Sequence, residues 1–436
     1  MSARHIGLDF GTTNTSLAVC GGDGKVTVAV FPSLWGTTES FRSVLYFPRH
    51  AFTQRLARRV LAGPSAIANY LGEDEPKGRL IQSVKSFAAD RTFTSTVISG
   101  RPYTFGKLVS IIIKQLVTEA EQQVGPLGDR LTVGRPVRFA GAESAEDEAF
   151  GIARLTSALN DCGFNRIDFE YEPVGAAYFY ESTLVHEELV LVADFGGGTS
   201  DFSIVRVGPG SRARYSLAQR IVANAGLATA GDAFDAAIIR NLVSPELGAG
   251  TDYRSMNKLM PIPAWLYRNL ERWHYLSFLK APDTMHLLRS LKVTAVEPRK
   301  IAALIHLVDN DLGYQLHQAV QAVKVALSVQ DQAQFVFEDG DIQISRQVKR
   351  SAFEHWIAGH LEAIAKTVDD LLRSCGVGAA EINRVFLTGG SAFVPAVREI
   401  FAFRFGEEKL LGGSEFTSVA KGLAFRAAEA HERSSG

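Results

Sequence analysis

Apolar and polar positions alternate in short blocks from the start of the chain. From Ile6 to Val30, three segments rich in Val, Leu and Ile are separated by a glycine turn and by the Gly-rich turn "CGGDGK", which predicts three short strands in a meander. The period then changes. In "YTFGKLVSIIIKQLVTEAEQQVG", Leu108, Ile112, Leu116 and Ala120 recur at helical spacing, and Gly125 marks the expected stop. "RLTVGRPVRF" reads as a strand, "EDEAFGIARLTSALNDCGF" as a helix, and "RIDFEYEPVGAAYFYES" as a strand running into a helix. Strands alternating with helices predict an α/β architecture.

At "EELVLVADFGGGTSDFSIVRV" the meander restarts, and "VADFGGGTSDFSIV" repeats the grammar of "GLDFGTTNTSLAV" near the N-terminus. Such repetition predicts two lobes on related plans. The expected division is lobe I over 1–185, with a smaller subdomain at about 40–105, and lobe II over 186–430, with a helical subdomain at about 241–316 and a flexible tail at 431–436. The stretch from Phe52 to Thr92 mixes basic residues with the turn-like "LGEDEPKG" and reads as mostly helical and exposed. Beyond Leu316 come a helix "LHQAVQAVKVALS", a polar hairpin "QFVFEDGDIQIS", a helix "AFEHWIAGHLEAIAKTVDDLLRSCG", a strand "RVFLTGG" and a helix from Pro395. No long Pro/Ser-rich linker interrupts the chain, which predicts one compact unit.

Composition narrows the function classes. With 436 residues, 46% hydrophobic and 21% charged, the chain is long enough for two lobes with real cores. A formal charge of −1 argues against nucleic acid or an anionic membrane as a general partner. Cys20, Cys162 and Cys375 are far apart and form no C-x-x-C pair, so they read as small buried hydrophobes rather than a disulfide framework or zinc site. The N-terminus shows no apolar signal region, and no apolar run is long enough to span a bilayer, so a cytoplasmic location is expected.

The repeated turns carry the candidate chemistry. A strand ending in Asp, followed by Gly and small hydroxyl residues, brings backbone N–H groups up to phosphate oxygens. Thr12, Thr13 and Thr199 add hydroxyl donors, and Asp9 and Asp194 are carboxylates suited to Mg²⁺ through its water shell. Either turn alone is compatible with an ordinary hairpin; the pair is what suggests a polyphosphate gripped from two sides. A third glycine signal, Gly389 and Gly390 in "VFLTGGSAFVPAV", lies between a strand and a helix, where a phosphate or a flat base is accepted.

"GLDFGTTNT", "EYEPVGAA", "VADFGGGTSDFSIV" and "FLTGGSAFVP", in this order, resemble the nucleotide-binding domain of DnaK-type (heat-shock 70 kDa) chaperones. The nearest likeness is to the family's short, YegD-like branch. The resemblance implies the two-lobed actin-like ATPase fold, with ribonuclease H-like duplicated domains, a nucleotide cleft between lobes, and ATP or ADP with Mg²⁺ as ligand. It implies phosphate contacts at Asp9, Gly11, Thr12, Thr13, Gly196, Gly197, Gly198 and Thr199, and a metal shell of Asp9, Glu172 and Asp194. Glu172 also belongs to the implied catalytic set, with Lys85 near the γ-phosphate, Thr199 touching it and Asp201 polarising the attacking water. Read from its own surroundings, Lys85 in "IQSVKSFAA" is equally compatible with a solvated helix lysine.

The adenosine side departs from the family. Gly231, Lys324, Ser328, Gly389, Gly390 and Phe393 are the implied contacts. In "AVQAVKVALS", however, Gln321 and Val325 replace two of the four family residues, Phe393 stands where the family has arginine, and Phe416 replaces an acidic residue. Phe393 is compatible with stacking on a base or with packing in a core. Because the sequence stops at "KGLAFRAAEAHERSSG", no peptide-binding domain is expected. The leading expectation is a chaperone-like ATPase that hydrolyses Mg-ATP slowly and switches lobe closure for a protein partner or co-chaperone, with no nucleic acid or membrane partner. A non-hydrolysing nucleotide-binding scaffold or exchange factor, and a sugar-type kinase, are the alternatives. Trp265, Tyr267, Trp273 and Tyr275 mark a candidate partner surface, and also read as a self-contained helical core.

Overall fold

The computed structural model of the chain describes residues 4–33, 36–48, 60–72, 78–271, 279–412 and 417–435, with backbone alone at 212, 213, 217 and 431–435. Trp273, Tyr275, Phe416 and the 73–77 portion of "LGEDEPKG" lie outside those residues.

Two related sheets dominate the first part of the structure. In one, Arg166–Tyr171, Arg130–Arg135 and His5–Phe10 run parallel, and Asn14–Cys20 and Val26–Val28 continue it antiparallel, with Phe41–Arg42 added against the start of Asn14–Cys20. In the other, Leu410–Gly412, Arg384–Thr388 and Glu188–Phe195 run parallel, and Ser200–Val207 and Ile221–Leu227 continue it antiparallel. Strand order and direction are the same in both, so the repeated sequence grammar reports a repeated sheet. This is the duplicated α/β architecture expected of an actin-like ATPase.

Helices pack where the apolar spacing placed them. Phe105–Val124 buries Leu108, Ile112, Leu116 and Ala120; the Thr104 hydroxyl caps it by accepting the Lys107 N–H, and Gly125 ends it at φ 73°. Helices Glu172–Glu181 and Ser418–Ser435 cross at glycine, since a Cβ on Gly422 would stand 1.7 Å from the Gly175 carbonyl oxygen. The second of these helices also lies on His5–Phe10, where a Cβ on Gly7 would meet the Ala420 carbonyl oxygen at 2.2 Å. It extends to Ser435, through most of the stretch expected as a tail.

The segment from Phe52 to Thr92 differs from its reading. Its described residues hold one helix, Gly63–Gly72, the short strands Leu61–Ala62 and Arg79–Ile81, and a single 3₁₀ turn, Val84–Phe87. Ala66, Ile67, Tyr70 and Val84 are buried, because the apolar residues between the basic ones have the strand Leu45–Phe47 and its neighbours to pack against.

The chain divides into two compact units. The first comprises Met1–Ala230, Ile364–Ala392 and Arg398–Gly436; the second comprises Gly231–Ala363 and Phe393–Val397. The second unit has a core of its own, with Leu266, Leu270, Leu288, Leu291, Ile301, Leu304 and Leu307 all buried, which lets it cohere without a linker. Its helices Ala264–Glu271, Pro282–Thr294 and Pro298–Asp309 match the helical reading of 241–316, but a hairpin, Asp252–Ser255 with Lys258–Pro261, interrupts it. Every residue of Lys258–Pro261 is exposed, so no apolar alternation announced that strand. Tyr267 is core, its hydroxyl donating to the Leu247 carbonyl at 3.0 Å, whereas Trp265 is exposed. Among the described residues no helix is long and apolar enough to cross a membrane.

Candidate functional site

The two Asp-Phe-Gly turns are built alike. The Gly11 N–H donates to the Asn14 carbonyl at 3.0 Å, and the Gly196 N–H donates to the Thr199 carbonyl at 2.9 Å. A Cβ on Gly11 would stand 2.2 Å from the Asn14 oxygen, so that turn needs its glycine. Asp9 lies opposite Ser16 in the first strand pair and Asp194 opposite Asp201 in the second. The turns also approach one another. A Cβ placed on Gly198 would be 3.6 Å from Thr12 Oγ1 and 3.8 Å from Ser86 Oγ, which brings the residue after Lys85 into the same neighbourhood.

Lys85 is not a solvated helix lysine. It is buried on the 3₁₀ turn Val84–Phe87, entered through Ser83 at φ 52°, and its Nζ donates to Glu172 Oε1 in a buried ion pair. Glu172 opens helix Glu172–Glu181 directly after the strand Arg166–Tyr171, with Pro173 at the second helical position. Gly134 leaves room for it, since a Cβ there would lie 3.0 Å from Glu172 Cγ.

Asp201 has both carboxylate oxygens engaged. Oδ2 accepts the Thr199 hydroxyl at 2.7 Å; Oδ1 accepts the N–H of Val137 at 2.7 Å and of Arg138 at 3.4 Å. Its geometry is that of a residue orienting Thr199 and holding the 137–138 backbone.

Four carboxylates therefore share the electrostatics of one lysine. Burial first, and the Glu172 charge second, push Asp9 from an ordinary 3.8 up to about 7, with Lys85 opposing. The same two causes raise Asp201 to about 7 against the hydrogen bonds from Thr199 and Val137. Asp194 is raised well above its ordinary value by burial, Glu172, Asp9 and Asp201. Asp9 and Asp194 are half-buried as residues. Oxygen donors with excess negative charge fit a hard dication. Among the described residues no three acidic, His or Cys side chains form a ready-made cage.

A pH prediction follows. Because these carboxyls are raised, the folded protein holds protons between about pH 4 and 7 that the unfolded chain releases; this stabilisation is complete below about pH 4 and is lost as pH rises through about 7. In metal-free buffer, the thermal midpoint of Asp9→Asn is expected to change less steeply between pH 5 and 8 than that of the wild type. Equal slopes in a fluorimetric melting series would refute the shared burden on these carboxyls.

Gly389, at φ 85°, follows strand Arg384–Thr388, whose Thr388 lies opposite Asp194. A Cβ on it would stand 2.1 Å from the Phe195 carbonyl oxygen, so the TGGS turn abuts the second Asp-Phe-Gly turn. Gly390 opens the 3₁₀ turn that follows. The other implied adenosine contacts belong to the second unit. Gly231 opens helix Gly231–Ile238, and Lys324 on helix Gly313–Val329 reaches Asp235 of that helix at 2.6 Å. The Ser328 hydroxyl donates to the Lys324 carbonyl at 3.0 Å. Phe393 is 52% exposed, which removes the core reading for it. Asp232 and Asp235 escaped the sequence reading, although two carboxylates three apart at a glycine-led helix start are a visible signal; burial, then Asp235, push Asp232 up to about 6.

Comparison with known proteins agrees with the architecture. A model of the Hsp70 protein family matches residues 297–432. The chain is 24% identical over 444 residues to chaperone protein DnaK of Deinococcus proteolyticus, covering 98% of this chain and 59% of that protein. It is 24% identical over 424 residues to DnaK of Thermosipho africanus, covering 97% and 58%, and 25% identical over 438 residues to DnaK of Thermus thermophilus, covering 98% and 60%. The chain thus spans about three-fifths of the length of the curated relatives it matches.

Proposed function

We propose, from the premise that this chain is a distant relative of the DnaK/Hsp70-type nucleotide-binding domains, that it binds Mg-ATP and Mg-ADP at the two Asp-Phe-Gly turns and hydrolyses ATP slowly. The observation that carries the reading is the approach of Gly198 to Thr12 and Ser86, with the Lys85–Glu172 pair and three raised aspartates around it. Backbone N–H groups and hydroxyls of the turns bind phosphate oxygens. Lys85 contributes a fixed cation for charge that develops on the transferred group. Asp201 holds the Thr199 hydroxyl in one orientation, which keeps the phosphate side of the turn preorganised. Bound Mg²⁺ supplies charge neutralisation at the phosphates, and Asp9 and Asp194 are the carboxylates that would face its waters.

On this reading the nucleotide state biases the arrangement of the protein, and a protein partner that prefers one arrangement reads it out. The exposed Trp265 belongs to the candidate partner surface. The cytoplasm is the compartment this function implies.

The test is calorimetric titration with Mg-ATP and Mg-ADP, repeated with the metal chelated, followed by turnover with and without a sugar panel. Metal-dependent binding with sugar-independent turnover is expected. No binding of either nucleotide would overturn the proposal, and turnover that requires a sugar would replace it with a kinase.

A further inference from the structure

Lys85 sits on the single 3₁₀ turn Val84–Phe87, closed by the Ser86 N–H donating to the Ser83 carbonyl at 3.0 Å and the Ala88 N–H to the Lys85 carbonyl at 2.9 Å. Beyond that turn the chain runs without a regular element until strand Ser95–Ile98, so no sheet ladder or longer helix anchors it on that side. Four carbonyls of this stretch accept from one side chain. Arg154, on helix Ala145–Asn160, donates from Nη1 to the carbonyls of Phe87 at 3.0 Å, Ala88 at 3.3 Å and Asp90 at 3.0 Å, and from Nη2 to that of Phe93 at 3.0 Å.

The guanidinium is itself held. Its Cζ lies 4.3 Å from the centre of the Phe105 ring and 5.1 Å from that of Phe150. The segment grips the same helix in return, with Arg91 Nε donating to Asp147 Oδ1 at 2.8 Å and Nη2 to the Glu146 carbonyl at 3.1 Å. Asp90 Oδ1 closes the turn by accepting from the Thr92 N–H and hydroxyl at 2.8 and 2.6 Å.

We propose that Arg154 is the positioning residue for Lys85: one guanidinium, clamped between two rings, sets the carbonyls of Phe87 to Phe93 and so fixes the turn that aims the lysine at Glu172. The inference rests on the reading of Lys85 as the phosphate-facing lysine. A lysine at 154 keeps donors on one nitrogen but lacks the second nitrogen that reaches the Phe93 carbonyl and the planar face that lies over the Phe105 and Phe150 rings, so it holds the stretch less firmly. Displacement of a catalytic group by about 1 Å, caused by a change away from the chemistry, costs about 10²-fold in rate.

The test compares Arg154→Lys and Arg154→Met with the wild type by two measurements. In the lysine side-chain ¹⁵N–¹H correlation spectrum, the buried Lys85 ammonium, identified by its loss in Lys85→Met, is expected to broaden or shift toward the exposed lysines in both variants. In single-turnover hydrolysis the rate is expected to fall about 10- to 10²-fold while the Kd for Mg-ADP changes less than about 3-fold, and Arg154→Met is expected to add no further loss in the Lys85→Met background. An unmoved Lys85 signal in the variants overturns the inference, as does a loss that is fully additive with Lys85→Met. A wild type that binds but does not turn over refutes the ATPase reading alone, and the spectrum still decides the role of Arg154. If Arg154→Met does not fold, the lysine variant carries both measurements.

Discussion

Lys85→Ala is expected to lower single-turnover hydrolysis of Mg-ATP by about 10²- to 10³-fold, the range for removing one preorganised electrostatic group. Lys85 is the cation that opposes the raised state of Asp9, Asp194 and Asp201, and it is paired with Glu172 in a buried position. Without it, that acidic group meets the polyphosphate with less compensating charge, and the loss falls most heavily where charge develops during transfer. Ground-state binding is expected to suffer less, since the turn N–H groups and hydroxyls remain. Calorimetry on the same variant separates the two effects: a large drop in rate with a small change in the Kd for Mg-ADP is the expected pattern. An unchanged rate would remove Lys85 from the chemistry, and equal losses in binding and rate would make it a general anchor. Removing the lysine also strands Glu172, so Lys85→Ala with Glu172→Gln is the control for stability.

The second large effect is on stability and lies away from the phosphate turns. The Arg220 side chain is fully buried, with its Nη2 2.5 Å from Glu181 Oε2, its Nε donating to the Arg206 carbonyl at 3.2 Å, and its Nη1 3.6 Å from Glu429 Oε1. Its guanidinium lies over the Tyr178 ring at 5.0 Å. The pair ties the start of strand Ile221–Leu227 to the end of helix Glu172–Glu181, whose Glu181 also accepts the Gly208 N–H at 2.7 Å. Arg220→Met leaves a buried carboxylate without its counter-charge and is expected to cost about 3–5 kcal/mol in urea unfolding. Arg220→Met with Glu181→Gln is expected to recover much of that loss, because the stranded charge goes with its partner. A single variant as stable as the wild type would refute the contribution of this buried pair to stability.

Both predictions concern residues that were only partly legible. The Lys85 motif was as compatible with a solvated helix as with a site, because nothing near it in sequence shows Glu172, 87 positions away. Arg154 lies in a stretch that reads simply as a helix, with nothing local to show the carbonyls it meets, and Arg220 belongs to no motif. The hairpin Asp252–Ser255 with Lys258–Pro261 was missed for a different reason: a strand exposed on both faces has no alternation to read. Asp232 and Asp235 were missed although their spacing is local, since a glycine-led helix start with acidic residues also reads as ordinary capping.

The sequence by itself determined the parts whose physics is local. Helix Phe105–Val124, its Thr104 cap and its Gly125 stop depend on spacing and on φ preferences within a few residues. The two Asp-Phe-Gly turns were equally visible, because a tight Gly11 turn and the repetition of its grammar at Gly196 need no distant partner. Tertiary structure alone decided what those parts do together: the approach of Gly198 to Thr12, the pairing of Lys85 with Glu172, the clamp of Arg154 and the raised carboxyls. The reason is that charge and burial act through space. A carboxylate's state depends on which charges and how much protein surround it, and residues far apart in the chain supply both.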